Sequence, residues 1–416
     1  MSVILAYCSP ELGHLLPIGA LLSELHRRGH EVHVRTMSAG VAMMRGQGLH
    51  AEAVDPAIEA IAGGDWQARG ALGVLKLSLD VLCRRAALEV HDLRHAVDAV
   101  EPEAIIVDAN CWGAMSAAEA GTIPWLVFSP FTPYLRSRGA PPFGPGMRPL
   151  PGIVGDLRDA AVRPIVRYLF DRPMLPRVNA IRDGLGVTPV TSVDDLMRRA
   201  PLLLAVGGEP FEYPHPDWGD LVHHIGACVF EPTTAPPPDW LGAIERPVVL
   251  VNTSSIPQPD TALGRTALEA LADEDVHVVA TFPAGVPAGL PRPANATVCR
   301  FVPHAAVLDR ACCAITHGGM GTTLKALDRG VPVVVVPFAR DQAEVARRVQ
   351  LAGCGVRLPA RRLTPARLRS EVRRAMTMAD GARRVAAGFA ATGGVARGAE
   401  LIEGRVLGFT AERPVG

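Results

Sequence analysis

Cys312-Cys313-Ala314-Ile315-Thr316-His317-Gly318-Gly319-Met320-Gly321-Thr322-Thr323-Leu324-Lys325 reads as a buried strand that ends in a glycine-rich turn and opens into a helix. A short apolar run, a turn of small residues and a helix start, in that order, form one arm of a βαβ unit. The rhythm continues on both sides. Upstream lie Val248 to Val251, a helix near Thr261 to Ala272, His277 to Thr281 and Val298 to Val302; downstream the helix runs to Arg329 and a strand follows at Val333 to Val336. Residues 246–380 are therefore expected to form a doubly wound parallel sheet.

The first half has the same alternation. Val3 to Cys8, Glu31 to Arg35, Ile105 to Val107, Trp125 to Phe128 and Leu202 to Val206 read as strands, with helices at Leu15 to Arg28 and Cys111 to Ala120. This gives a second Rossmann-like unit over residues 1–207. Residues 208–245, with Pro210, Pro214, Pro216, Pro232 and Pro236-Pro237-Pro238, are assigned to a linker. Residues 381–416 form a helical tail expected to pack back on the N-terminal domain. A Pro/Gly-rich stretch from Ser129 to Gly155 is too long and too apolar for a connector and reads as a binding loop. The fold class is α/β, two doubly wound domains facing a central cleft, with ligands at the carboxyl ends of the strands.

Composition narrows the function. The chain has 416 residues, too many for one ordinary core of about 150. Acidic and basic residues balance at 42 each, which gives no global field for nucleic acid or an anionic membrane. The longest apolar runs, such as Val331 to Val336, fall far short of a membrane span, and no export leader is recognisable. The eight cysteines include no C-x-x-C pair, which suits reduced thiols and a cytoplasmic location. No acidic D-x-D run before a strand end offers a metal site, so neither metal nor cofactor is expected.

The glycine turn carries the clearest chemistry. Glycines let backbone amides approach an anion, and the unpaired N–H groups and dipole at a helix start favour phosphate there. The run is neither a Walker loop nor G-x-G-x-x-G. Around it stand Arg300-Phe301-Val302-Pro303-His304 and Pro337-Phe338-Ala339-Arg340-Asp341-Gln342. In order and spacing, Phe301 to Gln342 resembles the donor-binding segment of natural-product glycosyltransferases of GT-B architecture. The resemblance implies that Phe301 stacks on a base, with Val302 supplying main-chain contacts. His317, Gly318, Gly319, Gly321 and Thr322 would hold a diphosphate, with His304 beside it or simply starting a helix, and Asp341 and Gln342 would bind sugar hydroxyls. Ser254 and Ser255, in Asn252-Thr253-Ser254-Ser255, match the family's second phosphate and sugar loop. Lys325 departs from the pattern: the family carries there a glutamate that accepts ribose hydroxyls, which an ammonium cannot do. Lys325 is read as facing solvent or making a weak phosphate contact.

Ser9-Pro10-Glu11-Leu12-Gly13-His14-Leu15, between the first strand and helix, also resembles the family, and implies a catalytic base at His14 with Gly13 beside the donor. The helix dipole there is expected to keep the ring neutral. Asp108, ending Ile105-Ile106-Val107, matches the carboxylate that orients that base. A packing histidine and an N-cap aspartate are the plain alternatives. Phe131, Tyr134 and Phe143, in the apolar loop, and the pattern from Leu72 to Leu93 suit a hydrophobic acceptor. The implied activity is inverting O-glycosyl transfer from a thymidine- or uridine-diphosphate sugar to a small apolar acceptor, by a monomer or homodimer. An epimerase of the same build and a non-catalytic partner protein are the rivals. His223-His224 and the His26, His30 and His33 group read as structural or solvent-facing.

Overall fold

The computed structural model describes residues 1–62, 64, 70–231, 237–255 and 260–408, with the backbone alone for Ala71. Two parallel sheets organise the chain. The first has seven strands, β1 (Val3–Tyr7), β2 (Glu31–Thr36), β3 (His50–Ala53), β4 (Ala104–Asp108), β5 (Trp125–Ser129), β6 (Leu203–Ala205) and β7 (Val222–His224), in the order β3-β2-β1-β4-β5-β6-β7. The second has six, β8 (Val248–Asn252), β9 (His277–Thr281), β10 (Ala296–Cys299), β11 (Ala311–Thr316), β12 (Val333–Val335) and β13 (Gly355–Arg357), in the order β10-β9-β8-β11-β12-β13. The pairings within both sheets are parallel, and the central strands β4, β5 and β8 are buried along their whole length. Helices cover both faces of such a sheet, which is why these strands are continuous apolar runs rather than alternating ones.

Each sheet changes direction once, between β1 and β4 and between β8 and β11. At such a point neighbouring loops diverge and leave a crevice beyond the strand ends. The first crevice receives the start of the Leu12–Arg27 helix and Asp108; the second receives Asn252 and the His317 turn.

Several elements differ from expectation. The third strand of the second half lies at Ala296–Cys299, so Val302 falls beyond it in the loop. β7 belongs to the first sheet although it lies within the stretch assigned to a linker. The helix Gly152–Gly184 begins within the stretch read as a binding loop and runs through Pro164, Pro173 and Pro176, which lack an amide donor. Residues 409–416 of the expected tail lie outside the described residues. Before them, the Ala379–Ala391 helix packs on Met320–Asp328 and the Gly394–Leu401 helix on Leu12–Arg27. Arg28 anchors the latter crossing through Ala396 O at 3.0 Å and Glu403 at 2.9 Å. Among the described residues no helix is long and apolar enough to cross a membrane.

Candidate functional site

The two crevices open into one cleft of about 1620 Å³ lined from both sheets. On its first wall, His14 sits in the first turn of Leu12–Arg27 and is 8% exposed, while Asp108 is wholly buried. His14 Nδ1 lies 2.8 and 3.0 Å from the Asp108 oxygens. A carboxylate only accepts, so Nδ1 carries the proton and the Nε2 lone pair is left toward the cleft. Burial favours the neutral ring, but the charge and hydrogen bond of Asp108, with Glu11 and Asp341, outweigh it and hold His14 above its ordinary value. The expectation of a neutral ring rested on the helix dipole alone; the carboxylates of Asp108, Glu11 and Asp341 reverse its sign.

Asn110 completes this wall and was not picked out from the sequence. Its backbone N–H donates to Asp108 Oδ1 at 2.8 Å, its side-chain amide points at His14 Nε2 from 3.4 Å, and its Oδ1 accepts from the Tyr134 hydroxyl at 3.3 Å. An Asn two residues after the strand-end aspartate was the available signal. Phe131 meets the His14 ring edge-on at 5.8 Å, and Tyr134 packs on Phe131 at 4.9 Å and on Phe143 at 5.1 Å. The three aromatic residues proposed from the loop thus form one apolar surface against the histidine.

On the opposite wall, Gly318 has φ +97°, and a Cβ there would lie 2.9 Å from Val335; one on Gly319 would lie 2.5 Å from His317 Nε2. The turn therefore needs both glycines, one for its backbone conformation and one because the imidazole packs beneath it. Burial holds His317 below its ordinary value, with Asp260 opposing and Arg340 adding to the effect. Gly321 meets nothing within 4 Å, and Thr322 accepts from Asn252 Nδ2 at 2.9 Å. The helix start at Met320 thus faces open space bounded by amides and hydroxyls, suited to an anion. Ser254 and Ser255 line the same cleft, with the Ser254 N–H held by Asp260 at 2.5 Å.

Phe301 presents its ring at the rim and is 59% exposed, and Val302 is buried beside it. His304, the first residue of a short helix, bonds Thr281 Oγ1 at 3.2 Å. Burial and then Lys325 pull it down to about 3, so it meets the cleft as a neutral ring. Asp341 faces the cleft and lies within electrostatic reach of His14 across it. Gln342 lines the cleft, and its Oε1 accepts from the N–H groups of Phe338 and Ala339 at 2.8 and 3.0 Å, so this oxygen shapes the loop around Asp341.

Lys325 corrects the solvent-facing reading. Its ammonium is mostly buried and donates to Phe230 O at 2.7 Å and to Glu231 at 3.1 Å, rather than facing solvent. The partners come from the segment after β7, which spacing alone did not connect to it.

A buried charge network joins the two walls. Glu344 Oε1 accepts from the N–H groups of Gly144 and Gly146, both at 2.8 Å, while Arg348 bridges Glu344 at 2.7 Å and Glu212 at 2.8 Å. Thr132 donates to Glu212 at 2.9 Å. The aromatic loop is thereby docked on the helix Gln342–Ala352. Only the i,i+4 pair Glu344–Arg348 had a sequence signature. Away from the cleft, at the amino ends of β2 and β3, Glu31, His33 and His50 gather potential metal-ligand atoms within 4.8 Å. His30 bonds Glu403 and His223 pairs with Arg405, so these histidines secure the C-terminal helices.

The comparisons with known proteins agree with this geometry. Residues 265–397 match the family described as erythromycin biosynthesis protein CIII-like, C-terminal domain. The 4'-demethylrebeccamycin synthase of Lentzea aerocolonigenes is 31% identical over 97% of this chain and 99% of its own. The 3-alpha-mycarosylerythronolide B desosaminyl transferase of Saccharopolyspora erythraea is 33% identical over 33% of this chain and 34% of its own. Among solved structures, the glycotransferase of kitacinnamycin superposes with a TM-score of 0.73 at 25% identity, covering 97% of this chain and 99% of that one. With relatives along its whole length, two facing Rossmann-like domains and a glycine-turn cradle, the chain belongs to the GT-B glycosyltransferases of antibiotic and other natural-product biosynthesis.

Proposed function

We propose that the protein is an inverting O-glycosyltransferase that moves a hexose or deoxyhexose from a thymidine- or uridine-diphosphate donor to a hydroxyl of a small apolar acceptor. The observation that carries this reading is the juxtaposition of His14 and Asp341, from opposite domains, near enough across one cleft for each to feel the other's charge. The acceptor lies against Phe131, Tyr134 and Phe143 with its hydroxyl at His14 Nε2. His14 takes the proton, the oxygen attacks the anomeric carbon, and the bond from that carbon to the diphosphate breaks on the opposite face, inverting the centre. Asp108 stabilises the imidazolium that forms. The leaving diphosphate gathers charge at the helix start beyond Gly319, where oriented amides receive it, so the step as written calls on no metal. His317 braces that turn, Phe301 offers a face to the base, and Asp341 accepts from sugar hydroxyls. Eight free cysteines fit a cytoplasmic enzyme.

Calorimetric titration with thymidine and uridine diphosphates tests the donor half: one should bind at micromolar strength and be lost in His317→Ala. Acceptor-dependent release of nucleoside diphosphate, with the new linkage of opposite anomeric configuration by NMR, tests the transfer. Binding of neither nucleotide would favour the non-catalytic partner protein instead.

A further inference from the structure

On the cleft wall beside the glycine turn, Lys325 and Glu231 form a part-buried ion pair that the proposed reaction does not use. Gly321, Thr322 and Lys325 stand at i, i+1 and i+4 on the Met320–Asp328 helix, and all three line the cleft. Residues three and four apart share a helix face, so Lys325 lies one turn, about 5 Å, beyond the diphosphate-facing positions. Its ammonium is fixed by Phe230 O and by Glu231 Oε1. An ionised carboxylate has about four acceptor positions. Glu231 also lines the cleft and keeps a side-chain exposure of 23%, so capacity remains on the side away from Lys325. The surroundings are the neutral His304 ring with Thr281, and the exposed face of Phe301 at the rim.

Resting on the donor reading above, we infer that Glu231, positioned by Lys325, is the group that accepts a pentose hydroxyl of the nucleoside diphosphate. A carboxylate already neutralised by an adjacent cation selects a neutral hydroxyl donor over a further phosphate, which it repels at short range. The pentose is the part of a nucleoside diphosphate that lies between diphosphate and base; Lys325 follows the glycine turn by one helical turn, and His304, within its electrostatic reach, stands three residues after Phe301. Because Glu231 follows β7 of the first sheet, donor binding also draws on the relative placement of the two domains.

The test is calorimetric, on the whole chain, with thymidine and uridine diphosphates and their 3′-deoxy analogues, in wild type, Glu231→Ala and Glu231→Gln. Wild type should bind the parent nucleotide about tenfold more tightly than its 3′-deoxy analogue, the scale of one hydrogen bond to a charged group. Glu231→Ala should weaken the parent about tenfold and bind both forms equally, with Glu231→Gln between, since it keeps one acceptor oxygen. A merely structural role would weaken parent and analogue together and leave their ratio intact; that result, or unchanged parent binding in Glu231→Ala, overturns the assignment while leaving the donor reading in place. Failure of wild type to bind either nucleotide overturns the donor reading and this assignment with it.

Discussion

Asp108→Asn is the substitution whose outcome the geometry specifies most sharply. Asp108 Oδ1 accepts the Asn110 N–H at 2.8 Å, and Oδ2 takes the proton of His14 Nδ1, also at 2.8 Å. An asparagine has one oxygen for these two donors. Turning its amide nitrogen toward Asn110 leaves a buried N–H unpaired, at a cost of about 1–3 kcal/mol, or roughly 5- to 100-fold. The oxygen therefore stays with Asn110 and the amide NH₂ faces His14. Nδ1 must then accept, the proton moves to Nε2, and the acceptor hydroxyl meets a donor instead of a base. The residual competent fraction also loses the anion that stabilises the imidazolium, about another tenfold if a charge-assisted bond is roughly twice as strong as a neutral one. Together these give an expected fall in kcat of about 50- to 1000-fold. The assay is acceptor-dependent release of nucleoside diphosphate, with nucleotide affinity by calorimetry and thermal melting as controls, both of which should hold close to wild type. Retention of more than a tenth of wild-type kcat would refute the reasoning and return Asp108 to an N-capping role.

Two further outcomes follow from the same site. Asp108, with Glu11 and Asp341, raises His14, and only the neutral ring is a base, so kcat/KM should rise with pH through an inflection above the ordinary histidine value of about 6.5 and fall on the acid side; Asp108→Ala, lacking the main cause of the shift, should move that limb to lower pH, and an unmoved limb would assign it to another group. Glu344→Ala removes the acceptor for the Gly144 and Gly146 N–H groups and one of the carboxylates that pair with Arg348, so it should raise the acceptor KM about tenfold and cost about 3 kcal/mol of stability by denaturant titration, while nucleotide affinity changes less than threefold; equal losses in donor and acceptor binding would show general unfolding rather than a loosened loop.

The central strands and both glycine-bearing turns were legible because their signals are local. Val248–Asn252 and Ala311–Thr316 are short apolar runs bounded by turn residues; His317 directly follows the second, and His14 lies in the first helical turn after the run Val3–Tyr7. Elements whose stability comes from neighbours were less so: β3 and β13, at the sheet edges, are short and weakly patterned, and the Gly152–Gly184 helix keeps its form despite three internal prolines.

What the sequence determined by itself was the pair of doubly wound units, the positions of His14, Asp108 and the glycine turn at strand ends, and the aromatic loop, since each depends on residue type at short range. Only the tertiary structure decided which charges meet. The sign of the His14 shift, the Lys325–Glu231 pair and the docking of Gly144 and Gly146 on Glu344 all join segments from 94 to 200 residues apart. Coulomb energy and desolvation depend on distance in space and on burial, and neither is written in the spacing of residues along the chain.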